Sequence, residues 1–236
     1  MPEISRHPWL RQRIYHSELI ERIKHLSPRE ILAKTNRVRE SFIRIPIYEG
    51  LDHEGHSYPY SFFELTADKP FRASLFEDAA DLIIHSHPES FENADIILSE
   101  GDRGGGPLSQ AIGRKTNIPV ALANWHKEIP DGLPDVIVVK TEVGFSGVGY
   151  IVVSGIKPGQ RVVIVDDLLS TGGTAEALIK AIQKAGAYVE EIFFVGEKVN
   201  KNGRNYLNQL FQNINITSLV RFIGEIENSV TIDADL

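Results

Sequence analysis

Two adjacent carboxylates precede a turn rich in hydroxyls and glycine in the stretch RVVIVDDLLSTGGTAEA, residues 161–177. Asp166 and Asp167 repel phosphate, whereas the residues after them favour it, because hydroxyls donate hydrogen bonds and glycines let the backbone curl around an anion. Carboxylates also accept hydrogen bonds from sugar hydroxyls or hold Mg²⁺ through water. The pattern therefore predicts a sugar-phosphate site in which residues 169–174, here called the phosphate loop, bind the phosphate.

The elements around this stretch place its side chains. Residues 161–189 have the pattern of a strand, a loop and a helix, and the apolar helix positions share one face: Ala177, Leu178, Ala181, Ile182 and Ala185. In α/β sheets ligands bind at the carboxyl ends of strands, and a helix N-terminus attracts phosphate through free N–H groups and its dipole. The sequence lacks the G-x-x-x-x-G-K-[ST] pattern, so this is not a Walker loop.

Short apolar runs alternate with turns and helical stretches from about residue 94 onward. Examples are ADIILSE, IPVALAN, DVIVVKTE, GYIVVSG, RVVIVDD, EIFFVGE and SLVRFI. Several of these runs are apolar on both faces, which is typical of central strands in a largely parallel sheet. The sequence therefore predicts an α/β fold.

The composition sets limits on the function. The chain has 236 residues, 42% of them hydrophobic, which suits one globular α/β domain with an appendage. It has no cysteine, which excludes disulfides, thiolate metal sites and a cysteine nucleophile. We find no long apolar run and no secretory signal, so we expect a cytoplasmic protein without a membrane segment. The formal net charge of −7 argues against general affinity for nucleic acid.

The N-terminal segment differs in charge from the rest of the chain. Residues 1–46 hold ten Lys/Arg against five acidic residues. Helical spacing of apolar residues, followed by Ser27 as a cap and Pro28 at the first position, predicts two helices. We interpret the segment as a helical arm that packs on the core or on a second subunit. The alternative is a nucleic-acid-binding appendage.

The run VVIVDDLLSTGGT resembles the phosphoribosyl pyrophosphate (PRPP) loop of type I phosphoribosyltransferases, closest to the adenine and xanthine enzymes. The resemblance covers residues 59–223 and implies a five-stranded, mostly parallel sheet flanked by helices, with a small hood. It also implies two domains. Residues 1–58 would form a helical extension and part of the hood, and residues 59–236 would form the core together with a C-terminal hood segment. It also implies a homodimer.

The resemblance assigns roles to the residues of the opening stretch. Asp166 and Asp167 would bind the ribose hydroxyls and help to order Mg²⁺ through water. The 5′-phosphate would lie on the phosphate loop, whose members are Leu169, Ser170, Thr171, Gly172, Gly173 and Thr174.

A second stretch, SEGDRGGGPLSQAI, is similar to the pyrophosphate loop of the family. Its matching residues are Asp102, Arg103 and Gly104, of which Arg103 offers a forked cation to pyrophosphate. The family has a basic pair at the end of the strand IPVALAN, where this chain has Asn124 and Trp125. Lys127 would substitute from a shifted loop; otherwise pyrophosphate binding is weaker, or PRPP binds without efficient turnover.

The flexible flap of the adenine enzymes has its counterpart in KTEVGFSGVGY. Glu142 matches the flap glutamate and would handle a proton on the purine or orient it. Gly144, Gly147 and Gly149 suit a lid that moves. The family tyrosine is missing here, and Phe145 or Tyr150 would take its place as the aromatic cover.

Two stretches bear on base recognition, and they disagree. In PYSFFELTAD, Phe62 matches a phenylalanine that stacks on the purine in adenine enzymes, with core packing as the alternative. In FFVGEKVNKNGRNYL, Lys198 matches a lysine of the xanthine enzymes that donates to the purine O6, with a surface lysine as the alternative. An ammonium group disfavours the amino group that adenine carries at that position.

The resemblance implies a purine salvage enzyme that converts PRPP and a purine base, adenine first, to AMP or another nucleoside 5′-monophosphate and pyrophosphate. A 6-oxopurine is the second candidate base. The alternative of another class is a PRPP-sensing regulator of purine synthesis without catalysis, which the basic N-terminus and the missing basic pair favour.

Overall fold

The computed structural model describes residues 19–42, 47–51, 55–61, 64–66, 70–129, 132, 135–143, 147–223 and 230–231. Its centre is an eight-stranded sheet in the order β10-β9-β8-β7-β3-β4-β6-β5. The strands are β3 Ile96–Glu100, β4 Val120–His126, β5 Val136–Val143, β6 Gly147–Ser154, β7 Arg161–Leu169, β8 Tyr188–Lys198, β9 Ile216–Phe222 and β10 Val230–Thr231. A separate antiparallel hairpin joins β1 Ile47–Leu51 to β2 Ser57–Ser61.

Five neighbouring strands of the sheet, β9-β8-β7-β3-β4, run parallel. The predicted α/β fold with a mostly parallel five-stranded centre is thus confirmed. The sheet is wider than predicted, because β6 and β5 extend it at one edge and β10 at the other, all by antiparallel pairing. The runs DVIVVKTE and GYIVVSG therefore form an antiparallel hairpin at one edge.

Helices cover both faces of the sheet. Residues 19–24 form α1, followed by α2 Pro28–Phe42, α3 Ala73–Ser86, α4 Pro88–Asn93, α5 Gly105–Thr116, α6 Gly173–Lys184 and α7 Gly203–Leu210. Val163 and Val165 of β7 pack into a core with helices α2 to α5, and Val162 and Ile164 pack into a second core with α6 and α7. Burial on both faces explains why β7 has a continuous apolar run. Within the described ranges, no helix is long and apolar enough to cross a membrane.

Helix α2 begins at the predicted residue and packs against the core. The Glu30 N–H donates to Ser27 Oγ (3.3 Å), and the Ser27 N–H donates to Glu30 Oε2 (2.8 Å), which is a capping box. The domain boundary predicted after residue 58 falls inside β2, and the segment before this boundary includes strand β1 besides helices.

Basic residues of α2 bind acidic residues of α3. Lys34 Nζ lies 3.0 Å from Asp78 Oδ1 and 2.8 Å from Asp81 Oδ2, and Arg37 Nε lies 2.6 Å from Asp78 Oδ2. These ion pairs favour the interpretation of the basic segment as an arm held against the core.

Candidate functional site

The carboxyl ends of β3 and β7 bring two glycines against two carboxylates. Asp166 and Asp167 lie at the end of β7 and are 6% and 7% exposed. A Cβ atom on Gly104 would overlap the Asp167 carboxylate, and one on Gly105 would stand 2.6 Å from Asp166 Oδ1. Only glycine permits this approach, so contact with the acidic pair explains the glycines at positions 104 and 105.

Asp102 organises the turn between β3 and α5. Its Oδ1 accepts hydrogen bonds from the N–H groups of Gly104 (3.0 Å) and Gly105 (2.6 Å). One carboxylate oxygen each of Asp102, Asp166 and Asp167 lies within 4.8 Å of the others. Oxygen ligands at this spacing suit Mg²⁺, so the residues present fit the metal that the sequence predicts.

The electrostatics of this acidic cluster favour a cation. Burial raises the pKa of Asp166 and of Asp167 well above the usual value. The charge of Asp167 raises the pKa of Asp166 further, and the charges of Asp102 and Glu100 raise both pKa values. Ionised carboxylates at this position therefore require a nearby positive charge.

Glu100 also belongs to this cluster, although the sequence motifs above did not predict it. Burial raises its pKa to about 7, the charge of Asp102 adds to the shift, and a hydrogen bond with the Thr174 side chain opposes it. Glu100 thus connects the end of β3 to the phosphate loop. Its position at the end of an apolar strand, directly before the Gly-Asp-Arg-Gly run, is the signal that would have identified it.

The phosphate loop leaves β7 and enters α6 as predicted. Gly172 has a φ of +92°, which favours glycine, and α6 begins at Gly173. Leu169 is the last residue of β7 and its side chain belongs to the core, so only its backbone is available to a ligand. Ser170 and Thr174 are half-buried, while Thr171 is exposed.

Two neighbouring elements contact the phosphate loop from outside. The Thr141 hydroxyl of β5 donates to the Gly173 carbonyl at 3.2 Å. At the start of α7, a Cβ atom on Gly203 would overlap the Ser170 carbonyl oxygen, so α7 packs directly on the loop. Neither contact is predictable from the sequence pattern, because both join residues far apart in the chain.

The end of β4 differs from the loop that the sequence predicts. The strand continues through Asn124 and Trp125 to His126 and pairs with β6, so Lys127 follows a strand and is exposed. The Trp125 ring packs on Gly149, where a Cβ atom would stand 2.6 Å from its Cε2 and Cζ2. Trp125 Nε1 is buried and has no hydrogen-bond partner among the described residues.

The predicted flap is the tip of the β5–β6 hairpin. Gly147 and Gly149 lie in strand β6, and Glu142 lies exposed on β5 opposite Val148, whereas the resemblance to the flap of the adenine enzymes implies a loop here. Arg103 is exposed in the turn beside Asp102. Phe62, Gly144 and Phe145 lie outside the described residues. Among the described residues, neither Glu142 nor Lys127 takes part in the contacts that join the acidic pair, the glycines after Arg103 and the phosphate loop.

Lys198 ends strand β8 and is only 6% exposed. The alternative of a surface lysine is therefore wrong. Its neighbour Glu197 is also buried and accepts hydrogen bonds from Arg204 Nε (3.0 Å) and Arg204 Nη2 (2.6 Å). The sequence motif Glu-Lys…Gly-Arg thus contains a structural ion pair, beside a lysine held at the carboxyl end of the sheet.

The fold is an α/β fold whose mostly parallel sheet carries an acidic pair and a glycine-rich loop at its carboxyl end, the place where folds of this class bind ligands. The phosphoribosyl transferase domain family matches residues 74–206, and the chain belongs to this family. The resemblance stated from the sequence is confirmed.

Named relatives support this membership, and a solved structure has the same fold. A hypoxanthine/guanine phosphoribosyltransferase of Ferroglobus placidus is 33% identical over 69% of this chain and 81% of its own length. One of Methanothermococcus okinawensis is 40% identical over 61% of this chain and 74% of its own length. An adenine phosphoribosyltransferase structure from Thermoanaerobacter pseudethanolicus matches with a TM-score of 0.58 and 23% identity, covering 80% of this chain and 99% of that chain.

Proposed function

We propose that this protein transfers the 5-phosphoribosyl group of PRPP to a 6-oxopurine, hypoxanthine or guanine, and releases pyrophosphate. The observation that carries the choice of base is the buried Lys198 at the carboxyl end of β8. An ammonium group only donates hydrogen bonds, so it suits the O6 acceptor of a 6-oxopurine and leaves the amino group of adenine unpaired. The names of the relatives from Ferroglobus and Methanothermococcus agree with this choice.

The acidic pair and the phosphate loop would bind the ribose 5-phosphate half of PRPP. Asp166 and Asp167 accept hydrogen bonds from the ribose hydroxyls, and the N–H groups at the start of α6 bind the 5′-phosphate. Ser170, Thr171 and Thr174 contribute hydroxyl donors. Each group acts by position alone, which holds the anomeric carbon in line with the purine nitrogen.

The turn after β3 would bind the leaving group. Arg103 donates to pyrophosphate in a forked arrangement, and the glycines that follow leave their N–H groups accessible. Asp102, Asp166 and Asp167 are the residues that would hold Mg²⁺, which supplies positive charge beside the pyrophosphate when bound. The negative charge that develops on the leaving group is thereby stabilised.

Adenine is the second candidate base. It is favoured by Glu142, which matches the flap glutamate of adenine enzymes and lies close to the hairpin tip. A carboxylate there would accept a hydrogen bond from the amino group of adenine.

The test is nucleotide formation from PRPP and Mg²⁺ with hypoxanthine, guanine, xanthine and adenine in parallel. We expect IMP or GMP from the wild-type protein, and a loss of about 10- to 100-fold in kcat/KM for Lys198→Met, the cost of removing a hydrogen bond to the base. Lys157→Met is the matched control, because Lys157 is exposed in the turn before β7. AMP as the main product would establish adenine. Binding of PRPP without any product would indicate the regulator.

A further inference from the structure

Helix α6 carries an acidic side chain close to the phosphate loop. Glu176 lies in the first turn of α6, which begins at Gly173. The proposed function uses the N–H groups of this same turn to bind a phosphate. A carboxylate that is free to swing toward the phosphate would repel it, since like charges a few ångströms apart oppose each other strongly near a protein surface.

Both oxygens of the Glu176 carboxylate have a partner. The Tyr206 hydroxyl of α7 donates to Glu176 Oε2 at 2.6 Å, and Lys180 Nζ, one turn further along α6, donates to Oε1 at 2.5 Å. Burial would raise the pKa of Glu176, but the hydrogen bonds from Lys180 and Tyr206 outweigh it and lower the pKa. The carboxylate is therefore ionised at neutral pH and fixed by two donors.

Tyr206 is itself fixed against the phosphate loop. A Cβ atom on Gly172 would stand 3.3 Å from Tyr206 Cδ1, so the ring lies alongside this glycine. Gly203, one turn earlier in α7, packs on the Ser170 carbonyl. The ring is thus anchored beside the loop, and its hydroxyl reaches the first turn of α6.

We propose that Tyr206 and Lys180 hold the Glu176 carboxylate against α7 and away from the phosphate loop, so that the loop keeps its affinity for the 5′-phosphate. Tyr206 is then a positioning residue that acts through Glu176. The inference rests on the proposed function, because it assumes that the loop binds the phosphate of PRPP.

The test is calorimetric titration of the full-length protein with ribose 5-phosphate. We expect Tyr206→Phe to weaken binding about threefold to tenfold, because the existing charge of Glu176 can then move closer to the bound phosphate. Glu176→Gln should bind at least as tightly as the wild type, and the double variant Tyr206→Phe with Glu176→Gln should return to within about twofold of it. The loss in Tyr206→Phe should also shrink in high salt, which screens exposed charges.

Tyr188→Phe is the matched control, because Tyr188 is 66% exposed at the start of β8, the end of the strand opposite Lys198. Tyr206 is 39% exposed, so the protein should fold without its hydroxyl. Wild-type affinity in Tyr206→Phe would overturn the inference, and so would a double variant as weak as Tyr206→Phe. If the wild type binds neither ribose 5-phosphate nor PRPP, the proposed function fails and the inference fails with it.

Discussion

At the scale of single residues, the contact between Gly104 and Asp167 packs the turn after β3 directly against the acidic pair of β7. A side chain on Gly104 would overlap the Asp167 carboxylate and stand 2.8 Å from the Leu65 carbonyl oxygen. Because the second neighbour is backbone, the turn itself must move to make room. The position of Asp102 and Arg103 relative to the acidic pair therefore depends on this glycine.

We expect Gly104→Ala to lower kcat/KM for PRPP about 100-fold, because small displacements of positioning groups are costly. Steady-state kinetics with a saturating base would measure this. Gly106→Ala is the steric control, since a Cβ atom there meets only the Gly101 carbonyl carbon, at 4.0 Å. Equal losses in both variants would mean that the Asp167 contact is not the cause.

The acidic cluster predicts how stability depends on pH and on Mg²⁺. The pKa of Glu100 rises from 4.5 to about 7 on folding, so the native state binds this proton more tightly than the unfolded state. Its contribution to stability is therefore lost as the pH rises from 4.5 toward 7 and beyond. The raised pKa values of Asp166 and Asp167 act in the same direction.

Thermal unfolding of the metal-free protein should accordingly show a lower Tm at about pH 8 than at about pH 5, and Mg²⁺ should raise the Tm more at the higher pH. Glu100→Gln should reduce the pH dependence, whereas Glu89→Gln, at an exposed position on α4, should leave it unchanged. A metal-free Tm that rises over this interval would contradict the assignment of the cluster.

At the scale of elements, the sequence predicted the β7–loop–α6 unit correctly because every signal in it is local. The apolar run, the acidic pair, the glycines and the helical face all lie between Arg161 and Val189. The antiparallel pairing of β5 with β6 was missed, because an apolar run does not reveal the direction of its partner. The extension of β4 through Trp125 was missed for a related reason: it depends on packing against Gly149, which belongs to a different strand.

The attachment of α2 to α3 depends on Asp78, whose carboxylate accepts hydrogen bonds from both Lys34 and Arg37. We expect Asp78→Ala to lower the free energy of unfolding by about 1–3 kcal/mol, because a partly buried pair is broken and two cations lose a partner. Urea denaturation would measure the change. Glu40→Ala, at an exposed position on α2, should change it by less than about 0.5 kcal/mol. Equal effects would show that the ion pairs do not hold the helix.

At the scale of the whole molecule, the charge distribution bears on the alternative of a regulator that binds nucleic acid. The formal net charge is −7, and two of the basic residues of α2 are neutralised by acids of α3. Part of the positive charge of the basic N-terminal segment is thus balanced by ion pairs within the protein. The division of the chain at residue 58 and the expected homodimer stay predictions.

We expect no retardation of double-stranded DNA in an electrophoretic shift assay at about 0.15 M salt, because affinity for DNA at this salt requires cations that neutralise many phosphates, and this chain carries a negative net charge. The assay should be repeated with PRPP and Mg²⁺ present, since a regulator would respond to its ligand. A shift that grows with PRPP would contradict the proposed enzyme.

The close packing of Gly104 and Gly105 on Asp167 and Asp166 has a consequence for protein engineering. The turn after β3 and the acidic pair of β7 interlock, although three strands and a helix separate them along the chain. Neither segment can be exchanged for that of a relative without its counterpart, because each is shaped to the surface of the other. A chimera that exchanges either segment must therefore transplant both segments together.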